Sequence, residues 1–63
     1  MIVILNQEKT EIQECVNVRV EGCDVCSFET LGTYPTEERA KEVLIDIFRY
    51  IMRRTRYYEM PQS

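Results

Sequence analysis

The stretch Thr36-Glu37-Glu38-Arg39-Ala40-Lys41-Glu42-Val43-Leu44-Ile45-Asp46-Ile47-Phe48-Arg49-Tyr50-Ile51 decides the fold of this chain. Its apolar residues Ala40, Val43, Leu44, Ile47, Phe48 and Ile51 recur at i, i+3, i+4, i+7, i+8 and i+11, which is one stripe of an amphipathic helix. Ile45 and Met52 widen that stripe. Thr36 is a strong N-cap, and Glu37 and Glu38 stand in the first turn, where the helix dipole favours acids. Arg53, Arg54 and Arg56 suit the opposite end, and Pro61 forbids continuation. The spacing predicts a helix over about 36–57, about 30 Å long at 1.5 Å per residue.

Upstream of the helix the period changes to two. Met1-Ile2-Val3-Ile4-Leu5 is an apolar run of strand length, with Ile2 and Ile4 on one face and Val3 and Leu5 on the other. Val16, Val18 and Val20 alternate with Asn17 and Arg19. With Glu21-Gly22 as a two-residue turn, Cys23 to Phe28 returns as a strand, pairing Val18 with Val25 and setting Arg19 opposite Asp24. Gly32 and Pro35 punctuate the end of the sheet. The expected strands lie near 1–6, 10–20 and 23–30. The expected fold is α+β: a small antiparallel meander of three to four strands, followed by one long C-terminal helix packed on its valine face. The predicted core is Ile4, Val16, Val18, Val20, Val25, Leu31, Ala40, Val43, Leu44, Ile47 and Ile51, with Ile2 or Val3 beside them. One domain is expected over 1–63, with the sheet over about 1–31, the helix over about 36–57 and a short tail at 58–63.

Sixty-three residues bury only roughly 60% of the unfolded surface, so a chain of this size gains much from a staple or a partner. With 44% hydrophobic and 30% charged residues, low-complexity disorder is excluded. No apolar run approaches the ~20 residues of a membrane helix, and no secretory signal is expected from the N-terminal stretch. The three cysteines, Cys15, Cys23 and Cys26, are an odd number, which fits free thiols in a reducing cytoplasm. The net charge of -3 divides unevenly: residues 1–48 hold ten acids and four bases (-6), and residues 49–63 hold four arginines and one acid (+3).

Leu31-Gly32-Thr33-Tyr34 followed by Thr36-Glu37-Glu38-Arg39-Ala40-Lys41-Glu42-Val43-Leu44, between an N-terminal Met-Ile-Val-Ile and a C-terminal Tyr57-Tyr58-Glu59-Met60-Pro61, resembles a family of very short phage and prophage proteins of Gram-positive bacteria. The resemblance implies a small antiparallel meander followed by one long helix, and a phage or prophage origin. It implies no activity and no functional residue. The cysteines and the arginine cluster lie outside its pattern.

Three groups of residues invite chemistry. Cys23-Asp24-Val25-Cys26 has CxxC spacing, but zinc wants four ligands and this chain has three thiols and no His. Redox pairs also sit at helix N-termini rather than in strands. No metal, cofactor or catalytic residue is therefore expected, and Glu37, Glu38, Glu42 and Asp46 read as ordinary helix-start and helix-surface acids. Arg49, Arg53 and Arg56 recur at i, i+4 and i+7 with Arg54 beside them and tyrosines interleaved, a candidate contact for nucleic acid or another anion. Against the acidic body this patch reads first as a solvated helix face. Cys15, Cys26 and Phe28 share the sheet face away from the valines, and Tyr50, Met52, Tyr57 and Tyr58 lie where the helix outruns the sheet, with Ile45 widening the stripe upstream. These eight are the candidate interface of a homo-oligomer. The expectation is a non-enzymatic interaction protein of phage or prophage type that assembles with itself and binds or modulates an unknown protein. Nucleic-acid binding through the Arg/Tyr end is the alternative.

Overall fold

The central strand of the molecule is its first. In a computed structural model describing residues 1–63, β1 (Ile2–Leu5) runs between β2 (Ile12–Cys15), antiparallel to it, and β6 (Tyr57–Glu59), parallel to it. A second three-stranded sheet follows in chain order: β3 (Arg19–Glu21), β4 (Asp24–Cys26) and β5 (Thr30–Thr33), all antiparallel. One helix, α1 (Glu37–Met52), packs on β3 and β4 and also touches β6. The class is α+β, with two sheets in place of the expected single meander. The reason lies at β1: both of its edges are occupied, so the 19–33 segment has no edge to join and pairs with itself.

Gln7 ties the two sheets together. Its backbone N–H donates to the Leu31 carbonyl at 2.8 Å, its Oε1 accepts from the Thr33 N–H at 2.9 Å, and its Nε2 donates to the Thr33 carbonyl at 3.0 Å. A side-chain amide has one donor face and one acceptor, so it imitates the peptide that a continuous ladder would place there. The same Nε2 reaches the Gln62 carbonyl at 2.8 Å, and Gln62 returns a 2.7 Å bond to the Gln7 carbonyl.

The expected strand over 10–20 is broken. Cys15 and Val18 both face inward, three residues apart, so a bend at Val16-Asn17 resets the alternation and turns Val16 out to 87% exposure. The tight turn is Gly22-Cys23 rather than Glu21-Gly22, because φ of +61° at its first position favours glycine. The register moves by two residues: Val20 pairs with Val25 and Arg19 with Cys26. A shift of two preserves faces, so the valines still look inward. Arg19 does not meet Asp24; its guanidinium pairs with Glu21 and donates to the Ser27 carbonyl.

The helix starts as expected, with the Thr36 hydroxyl accepting from the Arg39 N–H at 3.1 Å. It stops at Met52, five residues early. Arg54 takes φ of +62°, its N–H donates to the Ile51 carbonyl, and the Thr55 N–H donates to the Tyr50 carbonyl. That is a Schellman cap with arginine where glycine is usual. Nothing from Arg53 to Arg56 can be buried, and reversal lets Tyr58 and Met60 reach the core. The expected overhang of the helix does not exist; the tail folds back along β1.

Eleven residues form the core cluster, among them Ile2, Ile4, Val25, Leu31, Ala40, Val43 and Ile47. Cys15, Tyr34, Tyr58 and Met60 belong to it as well, which the sequence reading does not anticipate. Ile51 is half exposed and Leu44 only partly buried, so the helix turns slightly more of Ala40, Val43 and Ile47 inward than its full stripe suggests.

Candidate functional site

On α1 the stripe of buried residues, Ala40, Val43 and Ile47, is narrower than the set of apolar residues the helix carries. Leu44, Ile45, Phe48, Ile51 and Met52 lie beside it, and Phe48 and Met52 are 60% and 68% exposed. Leu44, Ile45, Phe48 and Ile51, with Ile47, form one wall of a groove of about 550 Å³. The opposite wall is the β2–β3 connection, with Met1, Cys15, Val16 and Val18, and ten of its eleven lining residues are apolar. The bend that expels Val16 from the core thus creates the second wall. Asn17 is the one polar residue, so the groove offers shape and apolar area rather than a reacting group.

The expected interface divides. Cys15, Cys26 and Tyr58 are buried, at 2%, 7% and 5% exposure, and present no surface. Cys15 is inward because β1 and β2 pair Ile2 with Cys15. Cys26 is inward because β4 bulges against β5 at Val25/Cys26. Tyr58 is inward because β6 returns to the sheet. Tyr50 is half-buried, its ring edge-on to Tyr58 at 4.8 Å between centroids. Phe28 is exposed, but in a small cleft with Val16, Asn17, Arg19 and Ser27. Ile45 and Met52 do belong to the exposed helix face. Tyr57 lines a separate shallow depression with Val3, Leu5 and Ile12 on the outer face of the first sheet. Phe48 and Ile51 stand beside Ile45 and Met52 as excess members of the helical stripe, while Leu44, Val16 and Met1 were missing from the expected set. The signal of the helical members was present in the helix, whose apolar positions exceed what one buried face can use.

Arg49, Arg53, Arg54 and Arg56 are all exposed, and none has a carboxylate within ion-pair distance; the three ion pairs are Lys9–Glu59, Arg19–Glu21 and Arg39–Glu42. They do not form the full i, i+4, i+7 stripe: Arg53 is the C-cap, its N–H still bonded to the Arg49 carbonyl and so in phase with Arg49, but Arg56 lies on the returning segment. The Arg56 carbonyl accepts from the Val3 N–H.

The titratable groups of the interior are set for stability. Burial pushes the Cys15 thiol up, and a hydrogen bond with Ser27 only partly opposes it, so Cys15 is a poor nucleophile. Burial also raises the Tyr34 phenol, whose hydroxyl donates to the Pro61 carbonyl at 2.9 Å. All three cysteines are free, and no group of three or more His, Cys, Asp or Glu side chains stands where it could hold a metal ion. No helix is long and apolar enough to cross a membrane. Comparison with protein-family models, with curated proteins and with solved structures finds no match.

Proposed function

We propose that this chain is a non-enzymatic interaction protein that works as a homo-oligomer, using the apolar groove between α1 and the β2–β3 connection as its contact. The observation that carries the reading is the makeup of that groove: ten apolar residues out of eleven, on a chain of only 63. A domain this small leaves such a surface uncovered at a cost of about 25 cal/mol per Å². The resemblance of the 31–44 block to short phage and prophage proteins supports a small cytoplasmic factor that binds or modulates another protein. Sedimentation equilibrium tests the self-association. A mass that rises with concentration above 7.5 kDa is expected; a mass fixed at that value up to about millimolar protein overturns it.

The four arginines without carboxylate partners, next to the exposed Tyr57, favour a second reading: a weak anion or single-stranded nucleic-acid contact. Titration of a labelled single-stranded oligonucleotide at low and moderate salt checks it. Binding that weakens with salt and is lost in an Arg54→Gln/Arg56→Gln variant supports this reading, and no binding at low salt removes it.

A further inference from the structure

Along α1 the exposed apolar residues Ile45, Phe48 and Met52 follow one another at spacings of three and four, the interval at which one helix presents a seam to another. At about 100° of turn per residue, Glu38, Glu42, Arg49 and Arg53 fall on one flank of that seam. The acids occupy its N-terminal turns and the arginines its C-terminal end. Glu38, Arg49 and Arg53 take part in none of the ion pairs, and Glu42 uses only one carboxylate oxygen, on Arg39 at 3.2 Å.

We propose that a second copy of this chain docks antiparallel on the Ile45–Phe48–Met52 seam, with Glu38 and Glu42 of each copy facing Arg53 and Arg49 of the other. This arrangement rests on the self-association proposed above and specifies its geometry. Setting Ile45 against Phe48 of the second copy leaves residue 42 only two residues, about 3 Å of helical rise, from level with 49, and residue 38 the same from 53, within the reach of glutamate and arginine side chains. One two-fold axis therefore satisfies both flanks at once. A parallel two-fold pair sets this flank against the other copy's opposite flank, which carries Leu44 and Ile51, so the acids and arginines do not meet. The antiparallel pair also opposes the two helix dipoles. The groove beside the seam, about 550 Å³, has room for the other copy's Phe48 ring. Met1, Val16, Phe48 and Met52 are each 60–87% exposed, so the apolar surface of seam and groove is largely uncovered in the single chain. The depression on the outer sheet face lacks this self-complementarity, since Lys9 and Glu59 at its rim already pair within one chain.

Charge reversal tests the arrangement, read by sedimentation equilibrium at low salt with circular dichroism to confirm folding. Glu38→Arg/Glu42→Arg and Arg49→Glu/Arg53→Glu should each weaken the dimer by about tenfold or more. The fourfold variant carrying all these changes should restore it to near the wild-type constant. Phe48→Glu should leave a folded monomer, because Phe48 is exposed and not part of the core, while Ile12→Glu should leave the dimer intact. If the wild-type chain dimerises but the charge variants do not weaken it, or the fourfold variant fails to recover, the antiparallel arrangement is wrong and self-association stands. Dissociation by Ile12→Glu and not by Phe48→Glu moves the contact to the outer sheet face. A wild-type monomer at all concentrations removes both proposals.

Discussion

The Tyr58 hydroxyl donates a 2.8 Å hydrogen bond to Oδ2 of Asp46, joining the returning strand to the middle of the helix. The two residues are twelve apart in sequence, and they meet only because α1 stops at Met52 and the chain reverses. Burial, then the Asp46 hydrogen bond and charge, holds the Tyr58 phenol far above its ordinary range. Tyr58 thus stays a neutral donor beyond the pH at which a free phenol ionises, and it joins β6 to the helix.

Tyr58→Phe should cost about 1–2 kcal/mol at neutral pH, the value of a hydrogen bond to a charged acceptor. The raised phenol gives this a pH signature. Above about pH 10 the unfolded chain releases its tyrosine proton while the folded chain keeps it, so the stability that Tyr58 confers is present below that point and is lost as pH rises. The raised Tyr34 acts in the same direction, and the raised Cys15 does so from about pH 9. Thermal melts should therefore show Tm falling steadily above pH 9, with the gap between wild type and Tyr58→Phe narrowing. A gap that widens with pH contradicts this account.

Arg54 occupies the left-handed position of the helix cap. Arg54→Gly should stabilise the protein by about 0.5–1 kcal/mol, since glycine takes φ of +62° without a Cβ penalty. Arg54→Gln serves as the charge control and should be close to neutral. Urea titration of the three proteins distinguishes a backbone effect from loss of one positive charge.

The two glycines should behave differently. At Gly32 an added Cβ would lie 2.9 Å from the Tyr34 hydroxyl and 3.2 Å from its ring, so Gly32→Ala must displace the tyrosine and its bond to Pro61. A loss of about 1–3 kcal/mol is expected. At Gly22 nothing lies within 4 Å, so the cost of Gly22→Ala is conformational, about 1 kcal/mol, and Gly22→Asn should recover part of it. Equal recovery by asparagine at both sites would contradict the assignment.

Gln7→Ala removes bonds to Thr33, Pro61 and Gln62 together and should cost about 2 kcal/mol. Its more specific effect is on the tail. Hydrogen exchange at 57–62 should accelerate more than exchange within α1.

Thiol reactivity should be graded. In the folded protein Cys23, in the turn and partly exposed, should react first with a disulfide reagent, while Cys15 and Cys26 should react only on opening or denaturation. Three equally fast thiols would mean that the β2 and β4 packing is wrong.

Ile47→Ala should cost about 2–5 kcal/mol, because Ile47 is fully enclosed. Leu44→Ala should cost less. The helical stripe in the sequence ranks both as core, and the structure gives Leu44 a place at the wall of the groove.

What can be read along the chain is whatever depends on neighbours within one turn or one pleat. The Thr36 cap, the phase of Ala40, Val43 and Ile47, the inward faces of Val20 and Val25, and the presence of a tight turn near Gly22 are all of that kind. Each follows from backbone sterics or from the period with which side chains must reach the core. The split into two sheets, the early end of the helix and the burial of Cys15, Cys26 and Tyr58 are not legible in this way. Tyr57-Tyr58-Glu59 has nothing in its local pattern to say that it pairs with residues 3–5. Its place was settled by competition for the free edge of β1 and by the apolar area that Tyr58 and Met60 bury on arrival, and both quantities exist only once the chain has folded.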